Sequence, residues 1–309
     1  MTDPIRSLDR YRDIVDDFDT FVEFCRKPLP VCYWVNTLRT TSEEVNERLR
    51  RDGFRMTPLT WLADAFKLEP TEHSLGRRFE HKAGLINIQE EVSMAPVVVL
   101  DPQPGEYVAD LCAAPGNKTS QIAVRMQNTG TVLANDKVYS RIRALRAVQE
   151  RLGLINITLT HRHGGDLPNA WGLFDRVLVD APCSCEGNSR KSESSLILKE
   201  KGFREDLVEI QKSILKRAIK LTKPGGTVVY STCTYAPEEN EGVVDHALKT
   251  YAGEISTIPI VLSGLQNAPG LLEWNGQSFA SGVTRAARIY PHHNDSGGFF
   301  VAAFKKAPY

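Results

Sequence analysis

The chain has 309 residues, of which 41% are hydrophobic and 25% charged, and its 38 basic residues balance its 38 acidic residues. This length suits one large α/β domain and a smaller one, in a protein of ordinary globular composition. Zero net charge argues mildly against nucleic-acid binding, although a local basic patch can still bind phosphates. No apolar run reaches the length of a membrane span, and residues 1–6 carry no signal-peptide pattern, so we expect a cytoplasmic protein.

The first part of the chain predicts a small β-α-β module. Apolar residues recur at helical spacing over residues 6–26, which indicates an amphipathic helix. Residues 31–36 indicate a strand, and Thr41 begins a helix that runs to about Arg51. An extended segment follows from Phe54. We place the domain boundary after residue 84, which gives modules 1–84 and 85–309.

The remaining sequence alternates strands with helices. The predicted strands are 107–111, 131–135, 157–160, 176–180 and 227–231, and the predicted helices are 118–126, 141–152, 205–221 and 238–250. This alternation predicts a doubly wound, mostly parallel α/β sheet. Ligands bind such sheets beyond the carboxyl ends of the strands. The polar residues 186–199 predict a mobile loop over that edge.

A turn of small residues, Ala113-Ala114-Pro115-Gly116, follows the first of these strands. Small residues allow the backbone to approach a ligand closely. Asp136 ends the next strand, 20 residues after Gly116, which is a spacing that suits hydrogen bonds to ribose hydroxyls. Asp166 is a candidate for the adenine edge. The turn lacks a full G-x-G-x-x-G pattern, so it favours a nucleoside cofactor over a dinucleotide. The alternative is a tight strand-to-helix turn with Asp136 in solvent.

Six cysteines divide into two groups. We expect thiols, because disulfides are rare in cytosolic proteins, and the lack of a C-x-x-C pair predicts no metal site. The histidine pairs 161/163 and 292/293 are expected on the surface or in loops. Four cysteines are interpreted as packing residues: Cys25, Cys32, Cys112 and Cys185. Cys183 and Cys233 differ because each follows a strand at the ligand edge of the sheet.

Two cysteines and a carboxylate at one edge suit methylation of a cytosine ring at carbon. A thiolate that adds to C6 makes C5 nucleophilic toward an electrophilic methyl group. A carboxyl group near N3 helps by donating a proton or a hydrogen bond. Cys233, Asp180 and Cys183 supply a nucleophile, a carboxyl group and a means of releasing the product.

These residues lie in stretches that resemble the Sun-domain (NSun, RsmB/Nop-type) RNA cytosine-5 methyltransferases. The matching stretches are Cys112-Ala-Ala-Pro-Gly-Asn-Lys118, Asp180-Ala-Pro-Cys-Ser184 and Ser231-Thr-Cys-Thr-Tyr-Ala-Pro-Glu-Glu-Asn-Glu241, with weaker matches at 87–91, 288–292 and 297–300. The resemblance covers nearly the whole chain. It implies a Rossmann-like class I methyltransferase fold, S-adenosyl-L-methionine as cofactor, and ribosomal or transfer RNA as substrate.

The resemblance also implies roles for single residues. Cys233 matches the nucleophile, Cys183 the cysteine that assists release, and Asp180 the acid shared between cytosine and cofactor. Asp136 matches the ribose acid, Arg141 a basic residue one helical turn on, and Asp166 the adenine-side acid. The residues that match the loop at the methionine end are Cys112, Ala113, Ala114, Pro115, Gly116, Asn117 and Lys118.

The family further implies an RNA-recognition-like module before the core. Its candidate phosphate contacts are Arg39, Arg48, Arg50, Arg51, Arg55, Arg77, Arg78 and Lys82, the alternative being a solvated, salt-bridged surface. Asn117 and Cys185 depart from the family pattern because each replaces a glycine, and an asparagine tolerates unusual backbone angles.

Two other functions stay open: a non-catalytic RNA-binding or assembly factor, and a methyltransferase that acts on an exocyclic amine. We assume a monomer without membrane or metal partners.

Overall fold

The N-terminal segment is a bent pair of short helices. In the computed structural model, which describes residues 4–197 and 202–308, a 3₁₀ helix spans Pro4–Tyr11 and helix α1 spans Phe18–Arg26. The predicted continuous helix 6–26 is therefore wrong. The break occurs at Asp17, which has a left-handed backbone (φ 44°) and accepts a hydrogen bond from the Thr20 N–H. Both pieces pack their apolar faces on Tyr235 and Tyr290 of the large domain.

The same segment buries two histidines that were expected at the surface or in loops. The side chains of His292 and His293 are only 5% and 7% exposed. His293 Nε2 lies 2.9 Å from a carboxylate oxygen of Asp16. The surface interpretation is therefore wrong for this pair, because the N-terminal segment covers it.

The small module contains a four-stranded antiparallel sheet. Its elements are β1 (Cys32–Val35), α2 (Ser42–Arg51), β2 (Met56–Pro58), β3 (Ala65–Leu68), α3 (Phe79–Lys82) and β4 (Ile86–Ile88). The strand order is β2-β3-β1-β4. Thr41 caps α2, where its hydroxyl accepts a hydrogen bond from the Glu44 N–H. The module has its own core, built around Tyr33, Val45 and Phe54.

Two arginines contribute to the docking of the small module on the large domain. Arg151 donates to the carbonyls of His81 and Ile86 and to Asn87 Oδ1. Arg39 reaches back to the carbonyls of Ala83 and Arg151. Of the eight basic residues considered as phosphate contacts, Arg39 is thus used in docking, and Arg51 and Arg78 form ion pairs with Glu47 and Asp52.

The large domain is built on a nine-stranded sheet. Its elements are α4 (Ala95–Leu100), β5 (Tyr107–Asp110), α5 (Asn117–Arg125), β6 (Thr131–Asn135), α6 (Tyr139–Leu152), β7 (Ile157–Thr160), β8 (Phe174–Asp180), α7 (Phe203–Leu221), β9 (Thr222–Thr232), α8 (Glu241–Thr250), β10 (Ile255–Ile258), β11 (Ala268–Pro269), β12 (Glu273–Trp274), β13 (Gln277–Ser278), β14 (Ala287–Ile289), α9 (Pro291–Asn294) and β15 (Phe299–Lys306). The strand order is β11-β14-β15-β9-β8-β5-β6-β7, β10 pairs with β15, and β12 and β13 form a separate short hairpin.

The predicted doubly wound α/β fold is confirmed. The five predicted strands, β5 to β9, pair in parallel, and helices cover both faces of the sheet. Helices α4, α5 and α6 contribute to the core on one face, and α7 and α8 to the core on the other. The antiparallel side, in which β15 pairs with β9, was not predicted. Among the described residues, no helix combines the length and hydropathy that crossing a bilayer requires.

A buried ion pair fixes the segment after β9. Arg288 and Glu241 form a two-pronged pair, at 2.6 Å from Nε to Oε1 and 2.5 Å between Arg288 and Oε2. Their side chains are 2% and 0% exposed. Arg288 also donates to the carbonyl of Tyr235, so one guanidinium holds the loop that follows Cys233.

Replacing Arg288 with alanine should therefore be strongly destabilising, because Glu241 would keep a buried charge without its partner. We expect Arg288→Ala to lower the free energy of unfolding by about 3–5 kcal/mol in urea denaturation. Arg51→Ala is the matched control, because it removes an exposed ion pair and should cost less than about 1 kcal/mol. Equal losses in the two variants would contradict this role for the buried pair.

Candidate active site

Two neighbouring parallel strands bring the two predicted cysteines together. Strand β8 ends at Asp180 and β9 ends at Thr232, and Asp180 is directly opposite Ser231 in the sheet. The loops that leave these strands place Cys183 Sγ 3.4 Å from Cys233 Sγ. The two thiols therefore share one site, as the sequence predicts.

A cavity of about 440 Å³ opens at this edge of the sheet. The sequence-predicted residues that line it are Cys112, Ala114, Pro115, Asn117, Lys118, Asp136, Arg141, Asp180, Cys183 and Cys233. Catalytic candidates and cofactor candidates thus face the same space. A cavity of this size accommodates a small-molecule ligand.

Asp180 lies between the cysteines and the cofactor loop. Its carboxylate accepts hydrogen bonds from Ser231 Oγ and from Lys118 Nζ, both at 2.8 Å. Burial acts to lower the pKa of Lys118, but the ion pair with Asp180 outweighs burial, and the net pKa is raised. Lys118 therefore stays protonated and holds the Asp180 carboxylate in place.

The two thiols share a crowded, buried environment. Hydrogen bonding to Cys185 and Cys233, together with burial, raises the pKa of Cys183 well above its ordinary value. For Cys233, the hydrogen bond from Cys183 lowers the pKa. The contact with Cys185, burial and the Asp180 charge outweigh it, so the net pKa is raised well above its ordinary value. Asn188 Nδ2 lies 3.1 Å from Cys233 Sγ, which is a donor contact that stabilises a thiolate.

The predicted cofactor loop connects β5 to α5 through an obligatory glycine. Gly116 has φ 110°, and a Cβ there would lie 3.0 Å from Leu145 Cγ. Asn117 needs no unusual backbone angle, contrary to the expectation from its replacement of a glycine, because it is the first residue of α5. Its side-chain oxygen instead accepts a hydrogen bond from Asn87 of the small module.

Asp136 organises this loop from the end of β6. The residue is 3% exposed, and its oxygens accept hydrogen bonds from the N–H groups of Ala114 (3.2 Å) and Val138 (2.8 Å). Arg141 lies 3.4 Å from the same carboxylate and also donates to the Ala114 carbonyl. The interpretation of Asp136 as a solvated side chain is therefore wrong.

Three predicted cofactor residues do not line the main cavity. Gly116 shapes the loop, and Ala113 lines a small adjoining cavity of about 70 Å³. Asp166 lies in a 3₁₀ turn with its side chain 78% exposed, near His163. Of the predicted set, Asp166 is the residue that this structure supports least.

A carboxylate network joins the two cysteine loops. Glu239 Oε2 accepts from the Ser184 N–H and from Gln211 Nε2, both at 2.9 Å. The hydroxyls of Ser184 and Thr234 are 2.7 Å apart. Glu186 Oε2 accepts from Thr234 Oγ1 at 2.9 Å and from Tyr11 OH at 2.5 Å. The spacing of the thiols is thus fixed by buried polar contacts on both sides.

The first half of the predicted mobile loop is tied to the core. Arg190 is buried and donates to the carbonyls of Lys27, Pro28 and Ser296. The Gly187 N–H donates to the Cys233 carbonyl, and a Cβ at Gly187 would lie 2.2 Å from the Gly298 oxygen. Residues 186–190 are therefore close-packed beside the site. Residues 198 and 199 of the predicted loop lie outside the described residues.

Several lining residues were missed by sequence reasoning. Glu90 accepts from the N–H groups of Ser93 and Gly297, and burial raises its pKa. The ring of Phe299 lies 5.1 Å from Lys118 Nζ. Both residues fall in stretches of weaker family resemblance, which was the available signal. Asn188 had no such signal, because its contact with Cys233 depends on how the loop folds back.

Comparisons with known proteins agree with this geometry. The family model for the 16S rRNA methyltransferase RsmB/F matches residues 97–305, and the model for the N-terminal domain of the 16S rRNA methyltransferase RsmF matches residues 4–91. A solved structure, a methyltransferase homolog protein from Pyrococcus horikoshii, is 33% identical and superposes with a TM-score of 0.86 over 99% of both chains.

Two named relatives extend the match. The tRNA (cytosine(49)-C(5))-methyltransferase of Pyrococcus abyssi is 35% identical over 97% of this chain and 95% of its own length. The ribosomal RNA small subunit methyltransferase F of Klebsiella pneumoniae is 38% identical over 94% of this chain, which spans 60% of that relative. These matches cover both modules, including the stretches that contain Cys112, Cys183 and Cys233. The chain therefore belongs to the Sun-domain (RsmB/F-type) family of RNA cytosine-5 methyltransferases.

Proposed function

We propose that this protein transfers a methyl group from S-adenosyl-L-methionine to C5 of a cytosine in RNA. The observation that carries the proposal is the 3.4 Å approach of two thiols on adjacent strand-end loops, in a cavity shared with Asp180. Family membership supports the same chemistry.

The residues around the cavity fit the cofactor. Asp136 is buried beside a loop of small residues, where its carboxylate can accept hydrogen bonds from a ribose. Arg141 and the loop from Cys112 to Lys118 line the same wall. When bound there, S-adenosyl-L-methionine supplies an electrophilic methyl group.

In this mechanism, Cys233 adds to C6 of the cytosine through its thiolate, and the electrons of the C5–C6 double bond become available at C5. The Asp180 carboxyl group, held by Lys118 and Ser231, donates a proton or a hydrogen bond to N3, where negative charge develops. After C5 has gained the methyl group, Cys183 acts as the base that accepts the C5 proton. The C5–H electrons re-form the C5–C6 double bond, and the bond from C6 to Cys233 Sγ breaks so that Cys233 leaves as a thiolate. Cys183, in contact with that sulfur, assists the release.

The RNA is ribosomal or transfer RNA, and the relatives named above act on one or the other. A non-catalytic assembly factor on the same fold would not need two thiols in contact. An exocyclic-amine methyltransferase is disfavoured because Asp180-Ala-Pro-Cys183 lacks the aromatic residue of such enzymes.

Cys233→Ala should abolish methylation, because no other group is proposed to attack C6. The experiment measures transfer of labelled methyl groups from S-adenosyl-L-methionine to unmodified tRNA and rRNA fractions, followed by bisulfite sequencing. We expect 5-methylcytosine at defined positions with the wild type and none with Cys233→Ala. Cys32→Ala is the control, because this buried cysteine lies in the small module. Equal labelling by Cys233→Ala would exclude Cys233 as the nucleophile. No labelling by the wild type would favour the non-catalytic assembly factor.

Cys183→Ala should slow release and leave the attack intact. We expect a protein–RNA adduct that survives denaturation and accumulates with the variant in the presence of RNA and cofactor. Adding Cys233→Ala to the same chain is the control, because it removes the sulfur that would form the link. Normal turnover without an adduct would contradict the release role of Cys183.

Asp136→Ala should weaken cofactor binding by about 10-fold to 100-fold, because hydrogen bonds to a charged group contribute about 1.5–3 kcal/mol. Calorimetric titration with S-adenosyl-L-methionine measures this effect. Asp166→Ala provides the comparison, since its side chain lies outside the cavity lining. An equal loss in both variants would restore Asp166 to the site, and an unchanged affinity in Asp136→Ala would remove Asp136 from it.

A further inference from the structure

A third cysteine completes a cluster of sulfur atoms at the site. Cys185 was interpreted as a packing residue, but its Sγ lies 3.9 Å from Cys183 Sγ. The sulfur atoms of Cys183, Cys185 and Cys233 all lie within 4.8 Å of one another. We call these residues the three-thiol cluster. All three line the 440 Å³ cavity, so the cluster opens onto the space where small ligands enter.

The spacing of these sulfurs suits a metal ion. A tetrahedral zinc centre with Zn–S bonds of about 2.3 Å holds its sulfur atoms about 3.8 Å apart. The two contacts in the cluster, 3.4 Å and 3.9 Å, lie on either side of this value. Three protein ligands would leave the fourth position of the ion directed at the cavity.

The backbone around the cluster is fixed before any ion arrives. The Gly187 N–H donates to the Cys233 carbonyl and the Asn188 N–H to the Cys185 carbonyl, both at 2.9 Å. Glu239 holds the Ser184 N–H between the two cysteines of the first loop. A site whose ligands are already positioned loses little conformational entropy on binding.

We propose that the three-thiol cluster is a binding site for a thiophilic cation of the zinc class, and that such an ion blocks methyl transfer by occupying Cys233. On binding, each thiol releases its proton to solvent and forms one sulfur–metal bond, so no oxidation or reduction occurs. The binding site follows from geometry alone, whereas the block of methyl transfer rests on the proposed function.

The charges that face the cluster select the class of ion. The Lys118 ammonium group repels cations, and the Asp180 carboxylate is already engaged by Lys118 and Ser231. An ion held by charge and oxygen ligands, such as Mg²⁺ or Ca²⁺, therefore gains little here. Thiolates instead favour Zn²⁺, Cd²⁺ and Cu⁺, which form strongly covalent bonds to sulfur. A C-x-x-C spacing does not identify this cluster, because its ligands combine a C-x-C pair with a cysteine from the loop after another strand.

The direct test is a titration of the reduced protein with Cd²⁺, followed by ultraviolet charge-transfer absorption of cadmium–thiolate bonds. We expect one Cd²⁺ per chain with three thiolates. Cys185→Gly removes a ligand and should weaken binding by at least as much as the roughly 10-fold to 100-fold that loss of an outer-shell partner costs. Glycine suits this position because Cys185 has a left-handed backbone (φ 64°). Cys233→Ala, which removes a ligand from the other loop, should show the same loss.

Cys32→Ala is the matched control and should bind Cd²⁺ as the wild type does, because Cys32 is buried elsewhere. A wild-type protein without the charge-transfer band, or a band unchanged in Cys185→Gly, would overturn the site.

The block of methyl transfer is tested by the ratio of methyl transfer without Zn²⁺ to that with Zn²⁺ in each variant. A large ratio that chelation restores in the wild type, and a ratio near one in Cys185→Gly, is the expected result. Equal inhibition of both would overturn the block, whereas cadmium binding without any RNA methylation would overturn only the proposed function.

Discussion

The parallel pairing of β8 and β9 is the constraint on which the rest of the site depends. Asp180 and Ser231 are opposite each other in this pair, and the Ala181 N–H donates to the Ser231 carbonyl. Because parallel strands end at the same edge of a sheet, loops that follow them emerge side by side. Sheet register therefore brings Asp180, the proposed nucleophile Cys233 and the second thiol, Cys183, to the same edge of the sheet.

Sheet register alone leaves the two cysteine loops free to separate. The short segment 239–241, at the start of α8, prevents this. Glu239 holds the Ser184 backbone, and Glu241 holds Arg288. Asn240 accepts from Thr232 Oγ1 at 2.5 Å and donates to the Thr234 carbonyl at 2.9 Å. Three successive side chains thus fasten both cysteine loops and strand β14. Every side-chain oxygen of these three residues accepts a hydrogen bond except Glu239 Oε1, which lies 3.4 Å from Arg204 Nε, so the buried polar groups largely satisfy one another.

The sequence was most informative where local pattern and position along the sheet agree. Alternation of strands and helices predicted β5 to β9, and strand ends predicted that Cys183, Cys233 and Asp180 would converge. Contacts between distant segments could not be predicted in this way. Asn188 meets Cys233 only because Gly187 allows its loop to approach β15. The break at Asp17 likewise depends on tertiary packing, because the apolar spacing continues on both sides of it.

The sequence places Cys185 among the packing residues, because its contact with Cys183 depends on how the loop folds, but its backbone conformation points to another role. A non-glycine residue in the left-handed region costs about 1–2 kcal/mol, which a glycine at this position would avoid. The chain bears this cost beside Cys183 and Cys233, and strained backbone of this kind clusters at functional sites. The short sulfur contact that assists product release in the proposed mechanism also provides two of the three ligands for a soft ion. The proposed reactivity toward cytosine and the proposed sensitivity to thiophilic metals therefore depend on the same geometry, and substitution of Cys185 separates the two.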